Sequence, residues 1–168
     1  MAVMPIRTLG DPILREPAKP VERFDASLRR LVDDMLETMY AAPGVGLAAN
    51  QVGLSVACFV YDDQDGHAGF VANPELSDPQ GEETRDEGCL SIPGPFSPTT
   101  RALAVRLRGQ DLDGSPLDIR AEGLLARIFQ HETDHLNGML YIDRLDDAGR
   151  RDVMRQLREL ELKRVQEG

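Results

Sequence analysis

The sequence predicts an α+β fold: short antiparallel strands packed around a central helix that carries His131-Glu132-Thr133-Asp134-His135, with one helix before the strands and another at the C-terminal end. Three observations carry this. Apolar residues recur at helical spacing only around residues 25–42, 123–136 and 147–168. Between about Ser55 and Ile119 the apolar runs are short and separated by turn residues. Strands and helices do not alternate as a doubly wound parallel sheet requires.

Residues 1–24 hold Pro5, Pro12, Pro17 and Pro20, so this segment should be extended and wrap over the rest of the chain. Asp25 is a suitable N-cap for a first helix, in which Leu28, Leu31, Val32, Met35, Leu36 and Met39 share one face. Pro43-Gly44 ends it. Strands are expected at Val56–Tyr61, Gly69–Asn73, Leu103–Arg108 and Leu117–Ile119, with Asp113-Gly114 as a hairpin turn between the last two. A second helix runs from about Gly123 to Leu136, with Leu124, Leu125 and Ile128 on its apolar side. The third, at 147–168, presents Val153, Met154, Leu157 and Leu160 on one face and mixed charge on the other.

The chain of 168 residues, 41% of them apolar, reads as a single domain over 1–168 with room for a core. Its formal charge of −10 opposes a broad electrostatic grip on nucleic acid. No apolar run approaches the ~20 residues needed to cross a bilayer and no stretch reads as a signal peptide, so a cytoplasmic protein without a membrane partner is expected. Of two cysteines, Cys58 sits in the apolar run Val56-Ala57-Cys58-Phe59-Val60 and reads as core. That leaves Cys89 as the chemically available thiol.

His131 and His135 are four apart, so on a helix both imidazoles leave one face, as a shared metal ion requires. Glu132, beside the first of them, points toward the open coordination position, where it can act as general base. A catalytic site needs a third protein ligand and a water. Glu87-Gly88-Cys89-Leu90-Ser91 offers Cys89 as that ligand, as a thiolate. A thiolate with two imidazoles suits Zn2+, Fe2+, Co2+ or Ni2+. Two other classes share part of this pattern. A metallopeptidase of the H-E-x-x-H type takes its third ligand after the motif as His or Glu, and a non-catalytic zinc-stabilised binding module needs a fourth protein ligand.

Gly44-Val45-Gly46-Leu47-Ala48-Ala49-Asn50-Gln51 precedes the cysteine motif. These three blocks in this order, together with Arg7-Thr8-Leu9-Gly10-Asp11-Pro12-Ile13-Leu14-Arg15, resemble the peptide deformylase family over about residues 6–145. The resemblance implies removal of the formyl group from the N-terminal methionine of nascent polypeptides, with release of formate. It implies Fe2+ as the usual metal, Cys89, His131 and His135 as ligands and Glu132 as base. It also implies that the Gln51 side-chain amide and the Leu90 backbone N–H donate to the formyl oxygen. Gly44 and Gly46, without Cβ atoms, would let an extended peptide pair with this backbone as an added strand. Val45, Leu124 and Ile128 are the expected wall of a methionine pocket. Family members act on nascent chains, so docking of the C-terminal helix on the ribosome is a further expectation. The chain departs from several bacterial relatives at Phe96, where they place an arginine. That loop borders the groove, so preference beyond methionine should differ here.

Overall fold

The computed structural model describes residues 2–167. Helix α1 (Ala26–Ala41) leads into strands β1 (Gly46–Ala48), β2 (Cys58–Asp62), β3 (Ala68–Gln80), β4 (Glu83–Cys89), β5 (Ile92–Arg101), β6 (Ala104–Gln110) and β7 (Pro116–Glu122). Helices α2 (Leu124–Leu136) and α3 (Asp147–Glu167) complete it, so the α+β class holds. The sequence reading carries α3 to residue 168, which lies outside the described residues.

The Asp25 side chain accepts the Leu28 N–H at 3.1 Å and caps α1, whose buried face is Leu28, Val32, Met35 and Met39. Five strands form one antiparallel sheet in the order β1-β2-β3-β6-β7. Strand β2 is buried on both faces, which is why its sequence reads as an unbroken apolar run. Cys58 and Val60 pack with Met35 and Met39 on the α1 side. Phe59 and Tyr61 face α2, where Tyr61 meets Phe129 edge-on with ring centroids 5.1 Å apart. The sheet is thus the middle of three layers, and β1 is one of its two edge strands.

The second sheet was not foreseen. β4 and β5 pair with each other alone, from Glu83 opposite Arg101 to Cys89 opposite Ile92. β4 reads Glu-Thr-Arg-Asp-Glu-Gly-Cys, and β5 holds Pro93, Pro95 and Pro98, so neither shows an apolar alternation. Alternation exists in burial only: along the second half of β5, Pro95, Ser97, Thr99 and Arg101 face inward. β3 also outruns its expected end at Asn73, because Asn73 and Asp78 adopt positive φ and the register shifts on either side of Glu75–Ser77, absorbing Pro74 and Pro79. α3 packs on β5 over a core of Ile92, Leu140, Tyr141, Ile142, Leu145 and Val153. Among the described residues, no helix is long and apolar enough to cross a membrane.

Candidate active site

α2 carries His131 and His135 on one face and drives them against the end of β4. The two Nε2 atoms lie 3.1 Å apart, and Cys89 Sγ is 3.3 Å from His135 Nε2. All three ligand atoms fall within 4.8 Å of one another, and this is the one such cluster among the described residues. A tetrahedral ion with bonds of about 2.0–2.1 Å to nitrogen and about 2.3 Å to sulfur separates its ligand atoms by about 3.3–3.6 Å. The Nε2–Nε2 distance of 3.1 Å and the Sγ–Nε2 distance of 3.3 Å come close to those separations, and the donor types suit a divalent metal of the borderline-soft kind.

The surroundings hold these side chains in place. His131 Nδ1 meets Glu87 Oε2 at 2.7 Å, leaving Nε2 to face the cluster. Glu87 Oε1 also accepts from Arg101 Nε and Arg127 Nη1, at 3.1 and 2.8 Å. Arg101 continues to Asp134 at 2.7 Å, and Arg144 closes a fork on the same carboxylate. Burial alone would raise the Glu87 carboxyl, but hydrogen bonds and charge from His131 and Arg101 outweigh it and hold it well below the usual range. Glu87 is therefore an anion. The Asn50 amide ties the other end of the motif by donating to the His135 carbonyl at 2.6 Å. Burial pushes His135 well below the usual imidazole range, in the neutral form a ligand needs.

Glu132 is 3% exposed, and its Oε1 is buried with no hydrogen-bond partner among the described residues. Burial raises its carboxyl to about 7; the Glu87 and Asp134 charges push the same way, against His131 and Arg101. A carboxylate so placed is tuned to exchange a proton near neutrality. Gln51 lies in a 3-10 turn after β1, where its Oε1 accepts the Ala48 N–H at 3.0 Å. That fixes the amide nitrogen toward Ser91 Oγ at 3.0 Å and Cys89 Sγ at 3.7 Å. The Gln51 donor and the thiol thus share one corner.

A groove of about 720 Å³ opens above this cluster. Gly44, Val45 and Gly46 form one wall, Asp86 to Leu90 and Pro93 to Phe96 the other. Leu124, Ile128, His131 and Glu132 lie on its floor, Gln51 also lines it, and His135 sits beneath. The ligand, base, oxyanion and methionine-pocket candidates read from the sequence all fall in or under this one groove. Gly44 also stops α1, its N–H donating to the Met39 carbonyl at 2.8 Å. Ile128, 3% exposed, serves the core as well as the groove. What the sequence reading missed is the charged support: Glu87, Arg101, Arg127 and Asp134. A signal existed in Arg127, flanked by Ala126 and Ile128 inside an apolar helical stretch, where a charge demands a buried partner.

A helix with paired imidazoles, a thiol from a separate hairpin and a buried carboxylate at the floor of an open groove defines a metal-dependent hydrolase. Residues 3–151 match the family model for polypeptide deformylase, and the chain belongs to that family. It is 52% identical over 161 residues to peptide deformylase from Acidothermus cellulolyticus, covering 96% of this chain and 89% of the relative. It is 51% identical over 163 residues to peptide deformylase 1 from Corynebacterium glutamicum, covering 94% and 96%. Among solved structures, peptide deformylase from Legionella pneumophila superposes with a TM-score of 0.90 at 44% identity, covering 98% of both chains. That from Synechococcus elongatus, in complex with actinonin, gives 0.88 at 40% identity, covering 94% of this chain and 88% of the other.

Proposed function

We propose that this hydrolase removes the formyl group from the N-terminal methionine of nascent peptides, in the groove described, with the whole chain acting as one unit. The carrying observation is the meeting of the Cys89–His131–His135 cluster, the buried Glu132 carboxylate and the open edge of β1 in one groove. Bound there, the metal would activate a water and polarise the formyl oxygen. Fe2+ is the ion we assign, with Zn2+, Ni2+ and Co2+ able to replace it, since all accept a thiolate and two imidazoles.

The chain's own groups supply the rest. Edge strand β1 has one side paired with β2 and the other side free for an extended peptide. Such pairing uses backbone groups and accepts many sequences. Val45, Leu124 and Ile128 select the methionine side chain. The Gln51 amide and the Leu90 N–H donate to the formyl oxygen as negative charge collects on it. Glu132 takes a proton from the attacking water and delivers it to the departing nitrogen, so the C–N bond breaks to give formate and a free amine. The same groove would receive actinonin. The exposed basic residues of α3 would offer a contact to the ribosome, and a cytoplasmic location suits that substrate.

The metallopeptidase alternative fails on the position of the thiol ligand, and the zinc-stabilised module on the absence of a fourth ligand in the cluster among the described residues. Incubating metal-loaded enzyme with formyl-Met-Ala-Ser and with Met-Ala-Ser tests the reading. Formate should be released from the first, and neither peptide bond should be cut. Peptide-bond cleavage without formate would refute it.

A further inference from the structure

The far wall of the groove carries an aromatic side chain that is exposed yet held in place. Phe96 is 60% exposed. Its backbone is held by Gln156 of α3: Nε2 donates to the Phe96 carbonyl at 2.9 Å, and Oε1 accepts the Phe96 N–H at 3.2 Å. Asp152 in turn accepts from Gln156 Nε2 at 2.9 Å, which fixes the amide orientation. One turn further along α3, Leu160 presses against Gly94. The ring lies over Gly88, so closely that a Cβ there would stand 2.7 Å from Cε1 of Phe96.

Asp86 shares this wall. It pairs with Pro98 in the β4–β5 ladder, and Phe96 lies two positions away along β5, on the same outward face. Diagonal neighbours across such a ladder stand about 7–8 Å apart, within reach of one long side chain. Asp86 is exposed, and among the described residues no side chain pairs with its carboxylate. An aromatic face and a free carboxylate at that spacing suit a cation on a long apolar stem.

We infer that Phe96 and Asp86 read a side chain that follows the methionine and favour Lys or Arg there over Glu or Asp. The stem and charge of the basic residue lie over the ring while its end reaches the carboxylate; an acidic residue meets only repulsion. Gln156 is the positioning residue, because it sets where the ring stands without touching the peptide. The inference rests on the groove receiving a formylated peptide, as proposed above.

The test is kcat/KM for formate release from C-terminally amidated formyl-Met-X-Ser and formyl-Met-Ala-X, with X as Lys, Phe, Ala and Glu. Lys should exceed Glu by about fivefold or more at one of the two positions, since exposed cation–π and ion-pair contacts each contribute modestly. Phe96→Ser should remove the advantage of Lys and Phe over Ala, whereas Phe96→Tyr should keep it. Asp86→Asn should narrow Lys over Glu and leave Phe over Ala alone. Gln156→Ala should bring these ratios toward the Phe96→Ser values while the preference for methionine at the first position stays, a separation that general loosening would not give. Each readout is a ratio on one preparation, so incomplete folding or metal loading cancels. Rates within twofold across X would overturn the inference and leave deformylation standing. No formate from any formyl-methionyl peptide would overturn both.

Discussion

A Cβ on Gly46 would stand 2.5 Å from Oε2 of Glu132. The wall strand and the carboxylate on the groove floor therefore fit together only because position 46 has no side chain. Glycine here does more than clear space for a peptide, the role read from the sequence. Gly46→Ala should displace the Glu132 carboxylate and lower kcat at least about tenfold, part of the ~10²–10⁴-fold that general-base catalysis contributes. Metal content should stay at the wild-type level. A kcat within twofold of wild type would mean the carboxylate works from another position.

Glu132→Gln keeps the size of the side chain and abolishes proton acceptance. Turnover should fall ~10²–10⁴-fold with the metal retained. A variant keeping more than about a tenth of the wild-type rate would remove Glu132 as base.

The two cysteines should separate cleanly under metal analysis. Cys89→Ala should lose tight metal binding. Burial holds the Cys58 thiol up to about 12, protonated and unavailable as a ligand. Cys58→Ala should keep the metal and lose about 1–2 kcal/mol of packing stability in urea unfolding. Metal content that followed Cys58 would refute the ligand set.

Glu87 supports both the metal site and the fold. Glu87→Ala strips His131 of its Nδ1 partner and leaves Arg101 and Arg127 buried with fewer acceptors. Metal affinity should drop about 10–100-fold. Unfolding free energy should drop by about 3–5 kcal/mol, the cost of breaking a buried ion pair. An unchanged affinity in a chelator competition would show that His131 needs no such anchor.

A shaped methionine pocket should show in the first residue of the substrate. Norleucine should replace methionine with little loss, because an apolar pocket barely separates isosteres. Formyl-glycine peptides should lose about 3 kcal/mol in kcat/KM, on the scale of ~0.8 kcal/mol per buried methylene. Val45→Asp should damage recognition and spare the metal. A flat profile over formyl-X-Ala-Ser would take Val45, Leu124 and Ile128 out of the recognition role.

The sequence exposed those parts of the molecule whose chemistry is local. Helical spacing and the Asp25 cap located α1, and i,i+4 spacing put His131 and His135 on one face before any tertiary contact was known. β2 was legible because both of its faces are buried. The β4–β5 hairpin was not, because the inner residues Ser97, Thr99 and Arg101 are polar, and Arg101 and the Thr99 carbonyl join the ionic network instead of an apolar core. A strand that buries polar atoms has no hydropathy signature. Nor does the sequence around Glu87 show its role: its partners Arg101, Arg127 and His131 lie 14 to 44 residues away.

The free side of β1 has a cost that the chain contains by its length. An unpaired strand edge is a template on which any extended segment can add, including one from a second, partly unfolded copy of the same chain. β1 is three residues long and ends in the buried turn Ala49–Val52, and it stands in a cleft with a wall opposite. A segment can pair there over only a few residues, enough to hold a short length of peptide and too few to seed a growing stack of strands.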